Sequence, residues 1–184
     1  GFTCAACHTA QFTYQGTAIR IDGGPSLGDS PTMMTQLGAS LQATLDGAAK
    51  FDRSAVNVLG DRSSDAAAIA ELREYLTRVS ASTAGFNERS HTTVPWGYGR
   101  VDAIGTIFNE VTARDLEIPE NRREPDAPVS YPFIWDTPQH DRVQWNGALA
   151  NAGLGSLARN VGEVLGVWGN VTIDPAPGKI GYES

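Results

Sequence analysis

Two cysteines, two methionines and three histidines are all the sulfur and imidazole chemistry in 184 residues. So few side chains rule out a disulfide-stapled scaffold and leave no material for repeated zinc-binding pairs. Basic residues are also in the minority, 14 against 21 acidic ones, for a formal net charge of −7. No Lys/Arg-rich run reverses that balance locally, so the footprint of a nucleic-acid binder is missing. No apolar run approaches the length of a bilayer-spanning helix, which excludes a membrane span of that kind. Internal repeats and low-complexity blocks are absent as well. The first residue is Gly1 rather than Met, and the expectation is a chain that begins after a cleavage or is a fragment of something longer. What remains is a globular composition, 41% hydrophobic, with enough apolar matter to bury a core.

The scarce residues are not scattered. The chain opens GFTCAACHTAQ, with Cys4 and Cys7 three apart and His8 directly after. Two cysteines placed at random fall at that spacing roughly one time in a hundred, and a following His makes the coincidence rarer still. The pattern is that of c-type haem attachment. Two thiols one helical turn apart can add to the two vinyl groups of a haem, and the adjacent imidazole can turn inward to ligate iron. Ala5 and Ala6 between them are small enough to let a macrocycle lie close to the backbone. Other uses of the pair fit less well. A thioredoxin-like site wants a strand upstream, and only three residues precede Cys4; a zinc site wants further paired ligands, and His91 and His140 are isolated. A Cys4–Cys7 disulfide would leave His8 without a role. The expected cofactor is one covalent haem c held by Cys4, Cys7 and His8, with His8 the metal ligand. Covalent attachment requires exported, reduced thiols, so the expected compartment is the bacterial periplasm or another extracytoplasmic space.

Hydrophobic periodicity then organises the chain as mainly α, a cytochrome c-like haem domain with long ordered loops over residues 1–184. A short helix is expected over 4–12, followed by a loop or brief strand through QGTAIRIDGGPSLGDSP. Met33, Leu37, Leu41 and Leu45 recur every four residues and predict a helix from about Thr32 to Asp46. Phe51, Ala55, Val58 and Leu59 predict a second, closed by Gly60. Ser64 reads as the N-cap of a third, carrying Ile69, Leu72, Leu76 and Val79 on one stripe. Residues 82–99 read as a polar loop, and Val101, Ile104, Ile107, Phe108 and Val111 as another helix. Five prolines between 119 and 138 exclude regular helix there, yet Tyr131, Phe133 and Trp135 mark that stretch as ordered. Leu157, Val161, Val164, Leu165 and Trp168 predict the last helix.

Three further patterns imitate chemistry. Gly24-Pro25-Ser26-Leu27-Gly28 satisfies G-x-S-x-G, and Asp136 and His140 follow in the order of a hydrolase triad, but alternating strands and helices are lacking. Gly153-Leu154-Gly155 through Ala158 fits a dinucleotide-binding fingerprint without the strand that should precede it, and reads as a helix-entry loop. Asn170-Val171-Thr172 is a glycosylation sequon by pattern alone.

With His8 on one side of an iron, function turns on the other side: filled, the site moves electrons; open, it binds peroxide or dioxygen. Met33, Met34, His91 and His140 are the residues that could fill it, and an open face is the remaining possibility.

FTCAACHTAQ, IDGGPSLGD, GYGRVDAIGTIFN, APVSYPFIWDTPQHDRVQWNG and RNVGEVLGVWG, in this order, resemble the N-terminal half of di-haem proteins of the cytochrome c peroxidase superfamily. The branch most similar is that of the rubber oxygenases and related di-haem cytochromes. The resemblance implies His8 as proximal ligand and an oxidant-binding haem half of a peroxidase-like or oxygenase-like oxidoreductase. It also implies an aromatic cluster near the haem, for which Trp135 is the match, with Phe133, His140 and Trp145 as further candidates. The expected partners are a second haem-bearing domain or chain, a redox partner protein and a small oxidant. Proteins of this family carry two CxxCH motifs and this chain carries one, so the second haem is expected on a missing half or partner chain. The alternative is a pure electron-transfer module with its sixth position filled.

Overall fold

The structure is a computed structural model that describes residues 3–144, 146–167, 169–173 and 180–183; Trp145 and Trp168 lie outside them. The chain is mainly α-helical with a few short strands, and it forms two compact units. One unit is the continuous stretch Pro31–Glu88; the other combines Gly1–Ser30 with Arg89–Ser184. No helix among the described residues is long and apolar enough to cross a membrane.

The continuous unit is a helical hairpin extended by one element. Helices α2 (Ser30–Asp46), α3 (Ala48–Leu59) and α4 (Ala66–Arg89) supply it, and the core follows the apolar stripe expected from periodicity except at Val58, which is 64% exposed. Phe51, Ala55 and Leu72 are buried, and Leu59, Ile69 and Leu76 pack against them. The Arg73 guanidinium lies 3.8 Å above the Phe51 ring, a cation–π contact that covers the core's edge. Gly60 ends α3 with φ +55°, its N–H returning to Val56 O. The cap of α4 differs from expectation by one residue. Asp65 rather than Ser64 accepts the first free amide, from Ala67 at 2.9 Å, because a carboxylate is the stronger acceptor for the positive end of a helix.

Helix α4 also runs on through residues expected to be loop. Thr83 is buried and donates to Val79 O at 2.8 Å, and Asn87 Nδ2 reaches Met34 O at 3.1 Å. Polar residues of modest helix propensity are here held helical by tertiary contacts, which outweigh the few tenths of a kcal/mol that propensity contributes per residue, roughly up to 0.7.

The other unit begins with α1 (Ala5–His8), a helix of one turn. The expected helix over 4–12 stops at His8, because Thr9, Thr13, Phe12 and Tyr14 prefer extended backbone and find a partner. Strands β1 (Thr9–Tyr14) and β2 (Thr17–Asp22) pair antiparallel through a two-residue turn at Gln15 and Gly16, both at positive φ. The twist of such a turn matches that of the strands it joins. Farther along, β3 (Arg100–Val101) pairs with β4 (Val129–Ser130), and Asp102 caps α5 (Ala103–Asn109) by accepting from Gly105 N–H at 2.8 Å.

Helix α5 widens into a π turn over Glu110–Asp115, where sequence periodicity suggested a plain helix ending near Val111. The reason is a buried ion cluster. Glu110 is fully buried and accepts from Arg89 Nε at 2.6 Å and from Arg114 Nη1 at 2.7 Å. Beside it, Asn109 ties three strands of chain together through Arg89 O, Arg123 O and Arg123 N–H. Strands β5 (Arg142–Val143) and β6 (Leu149–Ala150), helix α6 (Gly155–Val167) and strands β7 (Asn170–Ile173) and β8 (Ile180–Glu183) complete the unit. Gly155 opens α6 with only the two-residue β6 close before it, so the Gly153 pattern is a helix entry.

Candidate functional site

A one-turn helix cannot satisfy its own backbone: its last carbonyls have no amide four residues on to receive. In α1 the loop 23–28 supplies the missing donors. Gly23 N–H donates to His8 O at 2.8 Å, Ser26 N–H to Cys7 O at 2.9 Å, and Ser26 Oγ to Ala6 O at 2.9 Å. The turn bearing the two cysteines is thereby fixed from one side.

A second segment, 131–135, fixes it from another. His8 Nδ1 lies 2.7 Å from Pro132 O. A carbonyl oxygen only accepts, so the imidazole proton sits on Nδ1 and the Nε2 lone pair is left to bind elsewhere. Tyr131, buried, donates to Gly28 O at 3.2 Å. Burial pushes the Cys7 thiol up from its ordinary value, the neighbouring Tyr131 hydroxyl partly offsets this, and nearby Cys4 adds to the rise. Both thiols are free; Cys4 is exposed and Cys7 half-buried.

Phe133 and Trp135 stack, ring centroids 5.4 Å apart, and so the structure brings two of the predicted aromatic residues together. Trp135 Nε1 donates to Asp22 O at 2.7 Å, and Ile134 N–H to Gly23 O at 2.9 Å. Gly23 has φ +77° and faces the indole so closely that a Cβ there would sit 2.7 Å from Trp135 Cδ1. The aromatic segment is therefore bonded to the same loop that holds His8.

His140 stands apart from these contacts. Its amide donates to Thr137 O at 3.2 Å and its carbonyl accepts from Asn151 Nδ2 at 3.0 Å. His91 is exposed, its carbonyl accepting from Arg122 Nη2 at 2.6 Å. Met33, 38% exposed, and Met34, buried, lie on α2. Ser26, the serine of the hydrolase-like pattern, donates its hydroxyl proton to a backbone carbonyl rather than to a general base, which removes the activation a nucleophilic serine requires.

The residues fit a covalently held, flat, apolar group with a metal at its centre. Two free thiols flank one turn, an imidazole nitrogen is held free by a bond at its other nitrogen, and Leu27, Phe133 and Trp135, in the segments bonded to α1, are 79%, 56% and 48% exposed. Apolar surface gathered beside a chemically equipped turn is what such a group would cover. A protein-only metal centre is not built here: among the described residues, no three His, Cys, Asp or Glu side chains form a group that could hold an ion. Pro132 and Ser26 are the functional neighbours that residue spacing does not disclose. Pro132 acts through its carbonyl on a side chain 124 positions away, and Ser26 through its hydroxyl on a carbonyl 20 positions away.

No protein-family model matches the chain, and no solved structure matches it significantly. It is 41% identical over 171 residues to an uncharacterised protein, y4iJ, of Sinorhizobium fredii (strain NBRC 101917 / NGR234), an alignment covering 91% of this chain. The chain spans 28% of that relative's length.

Proposed function

We propose that the chain is a c-type haem redox domain with a cytochrome c-like site, in which Cys4 and Cys7 hold one haem through thioethers and His8 Nε2 binds the iron. Each thiol would add its sulfur to one carbon of a vinyl group and its hydrogen to the other, so nothing is released. The haem would supply one-electron chemistry at iron. The hydrogen bond from His8 Nδ1 to Pro132 O carries this reading. It sets the tautomer a ligand needs, orients the ring and raises the basicity of the other nitrogen. A surface histidine with no ligating role has no need of a backbone acceptor 124 residues away.

The finer reading is the oxidant-binding half of a periplasmic di-haem peroxidase-like or oxygenase-like oxidoreductase, working with a second haem-bearing domain or chain, a redox partner and peroxide or dioxygen. Its support is the family resemblance of the five stretches and the stacked Phe133–Trp135 pair that follows Pro132 directly. Trp135, anchored at Nε1 yet half exposed, is suited to shape a pocket wall or to pass an electron to a docked partner. Cys7 is half-buried, with the buried Tyr131 beside it.

Absorption spectra of the chain exported to a bacterial periplasm test both levels. An open sixth position gives spectra that shift with cyanide, peroxide and carbon monoxide. A six-coordinate low-spin spectrum indifferent to all three eliminates the oxidant-binding reading and leaves the electron-transfer module.

A further inference from the structure

The Gly24–Gly28 stretch imitates a hydrolase motif, but its serine faces inward. Ser26 meets two successive carbonyls of the cysteine-bearing turn, Ala6 O through Oγ at 2.9 Å and Cys7 O through its amide at 2.9 Å. The same Oγ accepts from Gly28 N–H at 3.3 Å. Behind it the chain is braced. Gly28 O accepts from Gly99 N–H at 3.0 Å and from the Tyr131 hydroxyl at 3.2 Å, and Tyr131 N–H donates to Gly99 O at 3.0 Å. Gly99 must lack a side chain, since a Cβ there would stand 3.1 Å from Ser26 O at φ +68°. The serine thus sits in a rigid frame that also includes the residue before Pro132.

We propose that Ser26 is a positioning residue for the metal ligand: it fixes the rotation of the Ala6–His8 backbone, and so the angle at which the His8 ring leaves that turn for the iron. The inference rests on the haem reading. Two constraints act on His8, and they differ in kind. Pro132 O holds the ring at Nδ1, whereas Ser26 holds the backbone from which the ring departs. With the hydroxyl removed, the ring stays tethered at its tip but the turn beneath it gains freedom. Ligand orientation in a metal site is governed by such outer contacts, and their loss characteristically changes metal properties without removing the metal.

The test compares haem-loaded wild type with Ser26→Ala, Ser26→Thr and Ser26→Val. Four quantities are read: intact mass, thermal midpoint, reduction midpoint potential and the ferric electron paramagnetic resonance spectrum. The inference expects one covalent haem in all four proteins. Ser26→Ala and Ser26→Val should show a displaced potential, beyond replicate scatter, and a ferric signal split or broadened into more than one imidazole orientation. Ser26→Thr, which keeps the hydroxyl, should restore both. If Ala and Val variants melt earlier but keep the wild-type potential and a single sharp ferric signal, Ser26 is a structural brace only and the inference is overturned. Should Ser26→Ala fail to load, Thr against Val decides: a Val variant that matches Thr in potential and spectrum overturns it equally. Wild type that acquires no haem removes the reading beneath the inference, an outcome told apart by its appearance in the parent protein.

Discussion

The stretch 31–88 and the segments around the cysteines solve the same problem, a fixed backbone, by opposite means. In the first, an apolar stripe does the holding: Phe51, Ala55 and Leu72 are buried on each other, and most polar contacts are local or peripheral. In the second, long-range hydrogen bonds do it. Gly23, Ser26 and Pro132 bond to a one-turn helix that has no buried residue, Tyr131 braces Gly28 and Gly99 behind them, and farther on Glu110 and Asn109 bind separate strands of chain through fully buried polar groups. A core built on apolar area tolerates small displacements. A frame built on directed bonds does not, and the metal-ligand role proposed for His8 would call for direction.

That contrast can be broken by substitution. The largest effect is expected for Glu110→Ala, which takes the carboxylate partner from Arg89 in a buried site while Arg114 keeps Asp115 Oδ1, and should cost about 3–5 kcal/mol. Amide protection should fall first over 99–135 and survive over 48–80. Leu72→Ala should cost about 2–5 kcal/mol through the cavity it leaves, with protection lost in the reverse order. Simultaneous loss everywhere in both variants would show that the two units melt as one cooperative body.

A smaller effect sharpens the comparison at the site. Tyr131 is pushed up to about 12 from an ordinary value of 10, chiefly by burial, with the neighbouring Cys7 adding to the rise. The folded protein therefore keeps the phenol proton where the unfolded chain has released it. This contribution to stability is complete below pH 10 and is lost as pH rises toward 12. Urea midpoints should fall more steeply over that window in wild type than in Tyr131→Phe. Parallel profiles would mean the phenol is freely solvated.

The same division explains what residue order discloses. The helices of 31–88 are legible because a stripe is a local pattern, although Thr83 and Asn87 hide the continuation of α4 by bonding to Val79 and Met34. The haem proposed for Cys4, Cys7 and His8 is suggested by residue order because three reactive groups sit within five residues. Its supports are not. Pro132 contributes only a carbonyl, which every residue possesses, and Ser26 stands in a pattern more familiar from hydrolases. Glu110 occupies a place where an acid ordinarily faces solvent, and only the approach of Arg89 and Arg114 makes its burial tolerable. Trp135 was recognisable as ordered, but its anchor on Asp22 lies 113 positions back in the chain.

Whether a haem is covalently held at Cys4 and Cys7 is decided by intact mass under denaturing conditions. The chain is exported to a periplasm equipped for c-type haem maturation and compared with a Cys4→Ala, Cys7→Ala double variant. The expected product is a coloured protein heavier than its polypeptide by one haem, with colour and added mass both absent from the double variant. A colourless wild type at bare polypeptide mass, with both thiols open to alkylation, would contradict it.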